Sequence, residues 1–408
     1  MLLQSLPLVF VLTGLALYTV LAGADFGAGF WQLFAGRGER AERVREHAHH
    51  SMGPVWEANH VWLIFVLTMF WTSYPEAFGS IASTLGVALF IAALGIIFRG
   101  AAYALRAGAS SARESGVIDT IFSLSSILTP FALGAAIGGI ATNRVPVGNA
   151  SGHLLSSWLN PTSIFIGVLA VASSAYLAAV YLAADAARDG HLALERDFRV
   201  RALGSGVLAG ALAIGGIFII NADYHRLFRS LLSGRALPAV IVSFAAGLAT
   251  LALVHRRRYE PARYCGALAV AAVVAGWALA RWPTILPGLT VREAAAGHDT
   301  LVWVLACVLG GGAILFPSLG LLFRLALAGR FHAPQSTVSR PGTRRVRRPA
   351  SGLLARLAIA SLIAGFLLLN VANAQWAHAI GLVGLLAFVL AAFRAIIWTA
   401  LDEQPTLM

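Results

Sequence analysis

The feature that most constrains this chain repeats along its length: uncharged apolar runs, each near the length of a bilayer crossing, separated by short gaps that hold most of the charge. A hydrocarbon layer about 30 Å thick needs about 20 helical residues per crossing. Such runs start near Leu6, Val55, Phe78, Val117, Pro161, Ala202, Ala236, Tyr264, Thr300, Gly352 and Trp376. They predict an all-α fold, a polytopic membrane helix bundle. Composition agrees, since 58% of the 408 residues are hydrophobic and 12% are charged, about half the charged share of a soluble domain. The net charge of +12 would suggest nucleic acid in a soluble protein. Here the basic residues lie in the gaps, where they act as topology signals, so no nucleic-acid partner is expected.

The arginines test the segmentation, because cytoplasmic gaps collect positive charge. Twenty-four of the thirty fall on one side of the alternating pattern and six on the other. The rich side is therefore read as cytoplasmic, with the N-terminus outside and the C-terminus inside. Ala22-Gly23-Ala24 resembles a signal-peptidase site, yet no positive charge precedes the run, so it reads as an uncleaved first helix. The expected organisation is a transmembrane core over 1–330, an Arg-rich cytoplasmic linker over 331–351 and a C-terminal transmembrane hairpin over 352–408 that turns through Asn370-Val371-Ala372-Asn373. A basic linker of that kind also sits where anionic lipid headgroups would meet it. Cys265 and Cys307 lie inside apolar runs and read as small core residues, with neither a disulfide nor a Cys-ligated metal.

Ionisable groups inside a membrane are costly and mark wet cavities or protein interiors. The strip from Gly53 to Leu63 holds Trp56, Glu57, Asn59, His60 and Trp62 at the start of a strongly apolar run. Glu57, read at the cytoplasmic mouth of the second helix, is the leading candidate for proton handling, because partial desolvation brings a carboxylate towards neutral pH. The plainer alternative is an acid stabilising the first turn of a helix. His60 stands one turn from Glu57 and could relay its proton, or sit as a hydrogen-bonded interior residue. Asp25, in Ala24-Asp25-Phe26-Gly27-Ala28-Gly29, reads as a second carboxylate at similar depth or as helix-end turn chemistry. Arg99 is either its charge partner, that of Glu57, or a bare topology residue. Trp56 and Trp62 read as an interfacial anchor and an interior packing residue. The cluster His47, His49 and His50 reads as a solvated loop and not as a metal site.

The line Gly53-Pro54-Val55-Trp56-Glu57-Ala58-Asn59-His60-Val61-Trp62-Leu63-Ile64 resembles the signature of subunit II of the cytochrome bd quinol oxidases, in which Trp-Asp-Gly-Asn is followed by a variable residue and Val-Trp-Leu. Asp25 to Gly29, Phe98-Arg99 with Tyr103 and Arg106, and Leu159-Asn160-Pro161 with Gly167 support the match. The resemblance implies about nine core helices and a membrane complex that oxidises quinol and reduces dioxygen to water. It further implies a partner subunit I carrying haems b and d. This subunit would then supply scaffold, a cytoplasmic proton route through Glu57, Asp25, His60 and Asn59 and, in some members, a bound quinone. Trp62 falls at the position of a tryptophan near a proposed oxygen route. Three departures stand out: Glu replaces the usual Asp at 57, the family's first acid of Asp-Gly-Phe-Asp is Ala22 here, and two helices follow the basic linker. That extra pair is suited to take the place of a small accessory subunit. Two readings compete with the oxidase proton route, namely a proton-coupled secondary transporter and a purely structural oxidase subunit in which Glu57 only caps its helix.

Overall fold

The first apolar run forms one helix, α1 (Leu2–Leu33), and every other early element is arranged around it. Its second half, Ala22 to Gly29, is buried on all faces, which explains the string of small residues: in a bilayer, helices gain by close packing and not by escaping water. A Cβ on Gly27 would collide with the backbone carbonyl of Ser174 on α6 (Pro161–Arg188). The computed structural model describes residues 2–36, 38–106, 111–327, 352–371, 376–377 and 380–388. The chain divides into two compact units, Met1–Leu321 and Leu322–Met408.

In the first unit α1 packs against α2 (Glu39–Ser73), α5 (Ala112–Ala141), α6 and α10 (Tyr259–Arg281). The remaining elements are α3 (Pro75–Thr84), α4 (Gly86–Arg106), α7 (Leu192–Asp223), the short α8 (His225–Ser233), α9 (Leu237–His255), a two-stranded antiparallel hairpin β1 (Thr284–Leu286) and β2 (Leu289–Thr290), α11 (Val291–Ala294) and α12 (His298–Leu327). Among the described residues eight helices are long and apolar enough to cross a membrane, or nine if Asn59–Ser73 and Pro75–Thr84, bent by 120°, make one span. Counted that way they give the nine core crossings expected. The run predicted from Phe78 is divided, because Pro75 starts a new helix at the bend and the next crossing begins only at Gly86. Large apolar side chains such as Val207, Phe218, Ile241, Phe244 and Trp303 are exposed along α7, α9 and α12, as lipid-facing surfaces require. Cys307, read as a core residue, is also exposed, whereas Cys265 is half-buried; both are free thiols.

Two ends of the bundle are closed differently. One end is covered by α3, the loop 142–160, the hairpin and α11, with Tyr74, Leu85, Val145 and Leu286 fully buried between them. There Thr290 and Glu293 form a reciprocal capping box, and the Thr290 backbone N–H and hydroxyl hold the Glu293 carboxyl below the usual carboxylate range. Pro7 breaks the regular ladder of α1. Beside it the Tyr74 hydroxyl accepts from Leu8 N–H at 3.0 Å and donates to Gln4 O at 2.6 Å. The other end rests on α6 and its neighbours, where Val44 and Ala48 of α2 join Leu177, Val180, Ala183 and Phe198 in one core.

That second core corrects a sequence expectation. His47 is not in a solvated loop, because α2 starts at Glu39 and is continuous through it. Ala41, Val44 and Ala48 are buried at helical spacing, while Glu39–Arg43 and Glu42–Arg45 pairs line the exposed face. The side chains of His49 and His50 lie outside the described residues.

In the second unit α13 (Gly352–Val371) meets the helical stretch 380–388 through glycine: a Cβ on Gly365 would stand 2.9 Å from the Gly381 carbonyl and 3.0 Å from the Leu385 amide. The linker 331–351 and residues 372–373 of the expected turn lie outside the described residues, while Asn370 and Val371 end α13.

Replacing Gly27 by Ala is expected to lower the stability of the detergent-solubilised protein by about 1–3 kcal/mol through overpacking, seen as a lower thermal midpoint. Gly210→Ala, where nothing lies within 4 Å of the added Cβ, should cause no such loss.

Candidate functional site

Four helices converge on one buried polar centre. Asp25 comes from α1, Asn59 from α2, Arg99 from α4 and Ser126 from α5, and all four are at most 2% exposed. Arg99 Nη2 donates to Asp25 Oδ1 at 2.5 Å and to the Asp25 backbone carbonyl at 2.9 Å. Its Nη1 donates to Ser126 Oγ, which itself donates to Phe122 O at 2.6 Å. Asn59 Nδ2 reaches the second carboxylate oxygen, Asp25 Oδ2, at 3.2 Å. The guanidinium lies over the Phe122 ring at 4.0 Å and the Phe26 ring at 5.3 Å, a cation–π sandwich that favours charge in an apolar setting. Gly29 makes this possible, since a Cβ there would collide with Ser126 Oγ and come within 2.8 Å of Arg99 Nη1.

Among the described residues the partner of Arg99 is Asp25. Neither residue is at a helix end, because α1 continues to Leu33 and α4 to Arg106; turn chemistry therefore does not explain Asp25. Asn59 joins them from the strip that also carries Glu57. The backbone of Glu57 lies about five turns inside α2, so it is not the first-turn acid that the alternative reading required. The side chains of Trp56 and Glu57 lie outside the described residues. His60 is half-buried. Trp62 packs against Tyr18, Ala22 and Phe26 with Leu63, Ile96 and Leu133, and meets Phe65 edge-on at 5.9 Å. Ser126 was not singled out from sequence, since a serine in an apolar helix commonly bonds back to its own backbone. Its nearest signal was the polar set Ser123, Ser125, Ser126 and Thr129 within one apolar run.

A second polar group ties the opposite parts of the core. Asp223 at the end of α7 accepts from Arg144 at 2.5 Å and from the Thr162 hydroxyl at 2.6 Å. Arg281 spans Asn143 Oδ1 and the Ile285 carbonyl, each at 2.7 Å. Asn160, from the Leu159-Asn160-Pro161 motif, caps α6 by accepting from Ser163 N–H at 3.0 Å, with Pro161 in the first turn.

A bundle of helices with this many candidate spans and an enclosed ion pair is a multi-span membrane protein. The family model described as cytochrome bd terminal oxidase subunit II matches residues 3–326, and the chain belongs to that family. Among similar proteins, the cytochrome bd-I ubiquinol oxidase subunit 2 of Escherichia coli K12 is 24% identical over 319 residues, covering 74% of this chain and 77% of that one. The cytochrome bd ubiquinol oxidase subunit 2 of Bacillus subtilis 168 is 28% identical over 151 residues, covering 36% and 43%. A chain of the bd oxidase structure from Geobacillus thermodenitrificans shares the fold with a TM-score of 0.64 at 24% identity, over 80% of this chain and 99% of that one.

Removing one member of the pair leaves a charge buried alone, which costs about 3–5 kcal/mol. Arg99→Ala should show that loss in denaturant or thermal titration of the solubilised protein. The double variant Asp25→Leu/Arg99→Met should be markedly more stable than the sum of its single losses, since it leaves no orphan charge.

Proposed function

We propose that this chain acts as the non-haem subunit of a membrane complex that oxidises quinol and reduces dioxygen to water. It pairs there with a subunit I bearing haems b and d and supplies a proton route opening on the cytoplasmic face. Haem ligation is assigned to the partner. The names of the relatives in Escherichia coli and Bacillus subtilis, each a ubiquinol oxidase subunit 2, support the quinol substrate and a partner subunit. The arginine-rich gaps support an outside N-terminus and a cytoplasmic C-terminus.

The observation that carries the proton reading is the placement of Glu57 within α2, two residues before Asn59, which is itself bonded to the enclosed Asp25–Arg99 pair. In this reading the parts divide their work. Both Asp25 oxygens already accept from Arg99 and Asn59, so Asp25, Asn59 and Arg99 form the fixed charged floor of the route. Glu57 takes up and releases the proton, and His60, one turn further on, orients it. Trp62 packs the wall beside α1. The competing transporter reading would require substrate flux by the isolated chain in liposomes. The two helices after the linker lie beyond the family match, which ends at residue 326, and we assign them to the edge of the complex, in the position of a small accessory subunit and in contact with lipid.

Two measurements test the proposal. The tagged chain should co-purify with a haem-bearing partner whose b- and d-type absorption is retained. Glu57→Gln, which keeps size and removes the titrating acid, should lower quinol-driven oxygen consumption by about tenfold or more with haem content unchanged. Wild-type oxygen consumption in an intact Glu57→Gln complex would remove the proton-route role.

A further inference from the structure

The turn between α6 and α7 faces the first half of α2, and the contact brings together two imidazoles and a carboxylate. His47 of α2, Asp189 at the end of α6 and His191 at the start of α7 place one ligand-type atom each within 4.8 Å of the other two. Their supports are built in. His47 is buried, packed on Phe198 with ring centroids 5.8 Å apart. Its Nε2 lies 3.0 Å from the Leu182 carbonyl, so Nε2 carries the hydrogen and Nδ1 keeps a lone pair. A ligating imidazole is typically oriented in this way by a bond from its second nitrogen.

The other two ligands stand on either side of a rigid turn. Gly190 has φ +75°, His191 N–H bonds Ala186 O at 2.8 Å and Gly190 N–H bonds Ala187 O at 3.4 Å, the double closure that ends a helix with a left-handed residue. The His191 side chain is not spent on capping α7. Tetrahedral coordination at about 2.0–2.1 Å sets ligand atoms about 3.3 Å apart. Asp189 and His191 are exposed and free to rotate by that much towards the fixed His47.

We propose that His47, Asp189 and His191 form a site for a divalent transition-metal cation of the zinc class, with water in the fourth position. Two imidazoles with one carboxylate select that class over magnesium or calcium, which prefer all-oxygen sets. A cation held there fastens the first half of α2, the helix that carries Glu57 ten residues on, to the α6–α7 turn. The assignment does not depend on whether Glu57 carries protons.

The test uses the full-length chain with its co-purifying partner. The preparation is stripped with a chelator, equilibrated with ZnCl2, desalted, and its zinc counted by mass spectrometry. The wild type should keep one zinc per chain more than His191→Ala and than Asp189→Asn, and Co2+ in place of zinc should give the bands of four-coordinate cobalt in the cobalt-loaded minus zinc-loaded difference spectrum, which removes the haem absorption, in the wild type only. Both substitutions are at exposed positions, so folding is expected to survive and is checked by elution profile. Equal zinc in the wild type and the two variants would overturn the site, as would zinc lost from His191→Ala alone with no cobalt bands in the wild type.

Discussion

The buried pair between Asp25 and Arg99 sets the terms for the rest of the fold. Removing two charges from water costs several kcal/mol each, and their attraction returns that cost only with good geometry and saturated hydrogen bonds. Here the surroundings meet most of the requirement: Asn59 takes the second carboxylate oxygen, Ser126 takes the second guanidinium arm, and two phenyl rings cover the cation, while Arg99 Nε has no hydrogen-bond partner among the described residues. Each partner comes from a different helix. The cost of burying charge therefore becomes a device for placing α1, α2, α4 and α5 in one register, since a shift of any one of them would expose an unsatisfied charge.

That role matters because helices in a bilayer have no hydrophobic force to hold them together. The alternative forces are visible along α1 and α6. Ala22 to Gly29 presses against Ser174, Leu177 and Ala178, giving dispersion contact, while polar groups fix direction. Near the ends of the helices the same division recurs, with Asp223 held by Arg144 and Thr162, and Asp185 bound by Arg188 and Arg263.

Much of this was legible in the sequence, for a physical reason: a bilayer forces spanning length, low charge and arginine asymmetry onto the chain, and each leaves a one-dimensional mark. Asp25, Asn59 and Arg99 were each conspicuous as polar residues in apolar runs. Their mutual choice was not, because it depends on which faces of α1, α2 and α4 meet. The extent of α2 was hidden because its first half is rich in Arg, Glu and His, which masks the buried spacing of Ala41, Val44 and Ala48. Tracking that spacing would have placed His47 on a helix and Glu57 deep inside it. Ser126 left no mark of its own, being chemically ordinary until a guanidinium is placed beside it.

The hydroxyl of Tyr74 on the first turns of α1 carries a consequence for how this chain can vary. Leu8 N–H and Gln4 O would be hydrogen-bonded to each other in an unbroken helix, and here they are joined through a side chain sixty-six positions away from Leu8. The phenol is therefore not neutral to replace, since without it the first turns of α1 lose both contacts to the end of α2. Because both contacts are to backbone, the identities of Gln4 and Leu8 are free to change while the phenol at 74 is held.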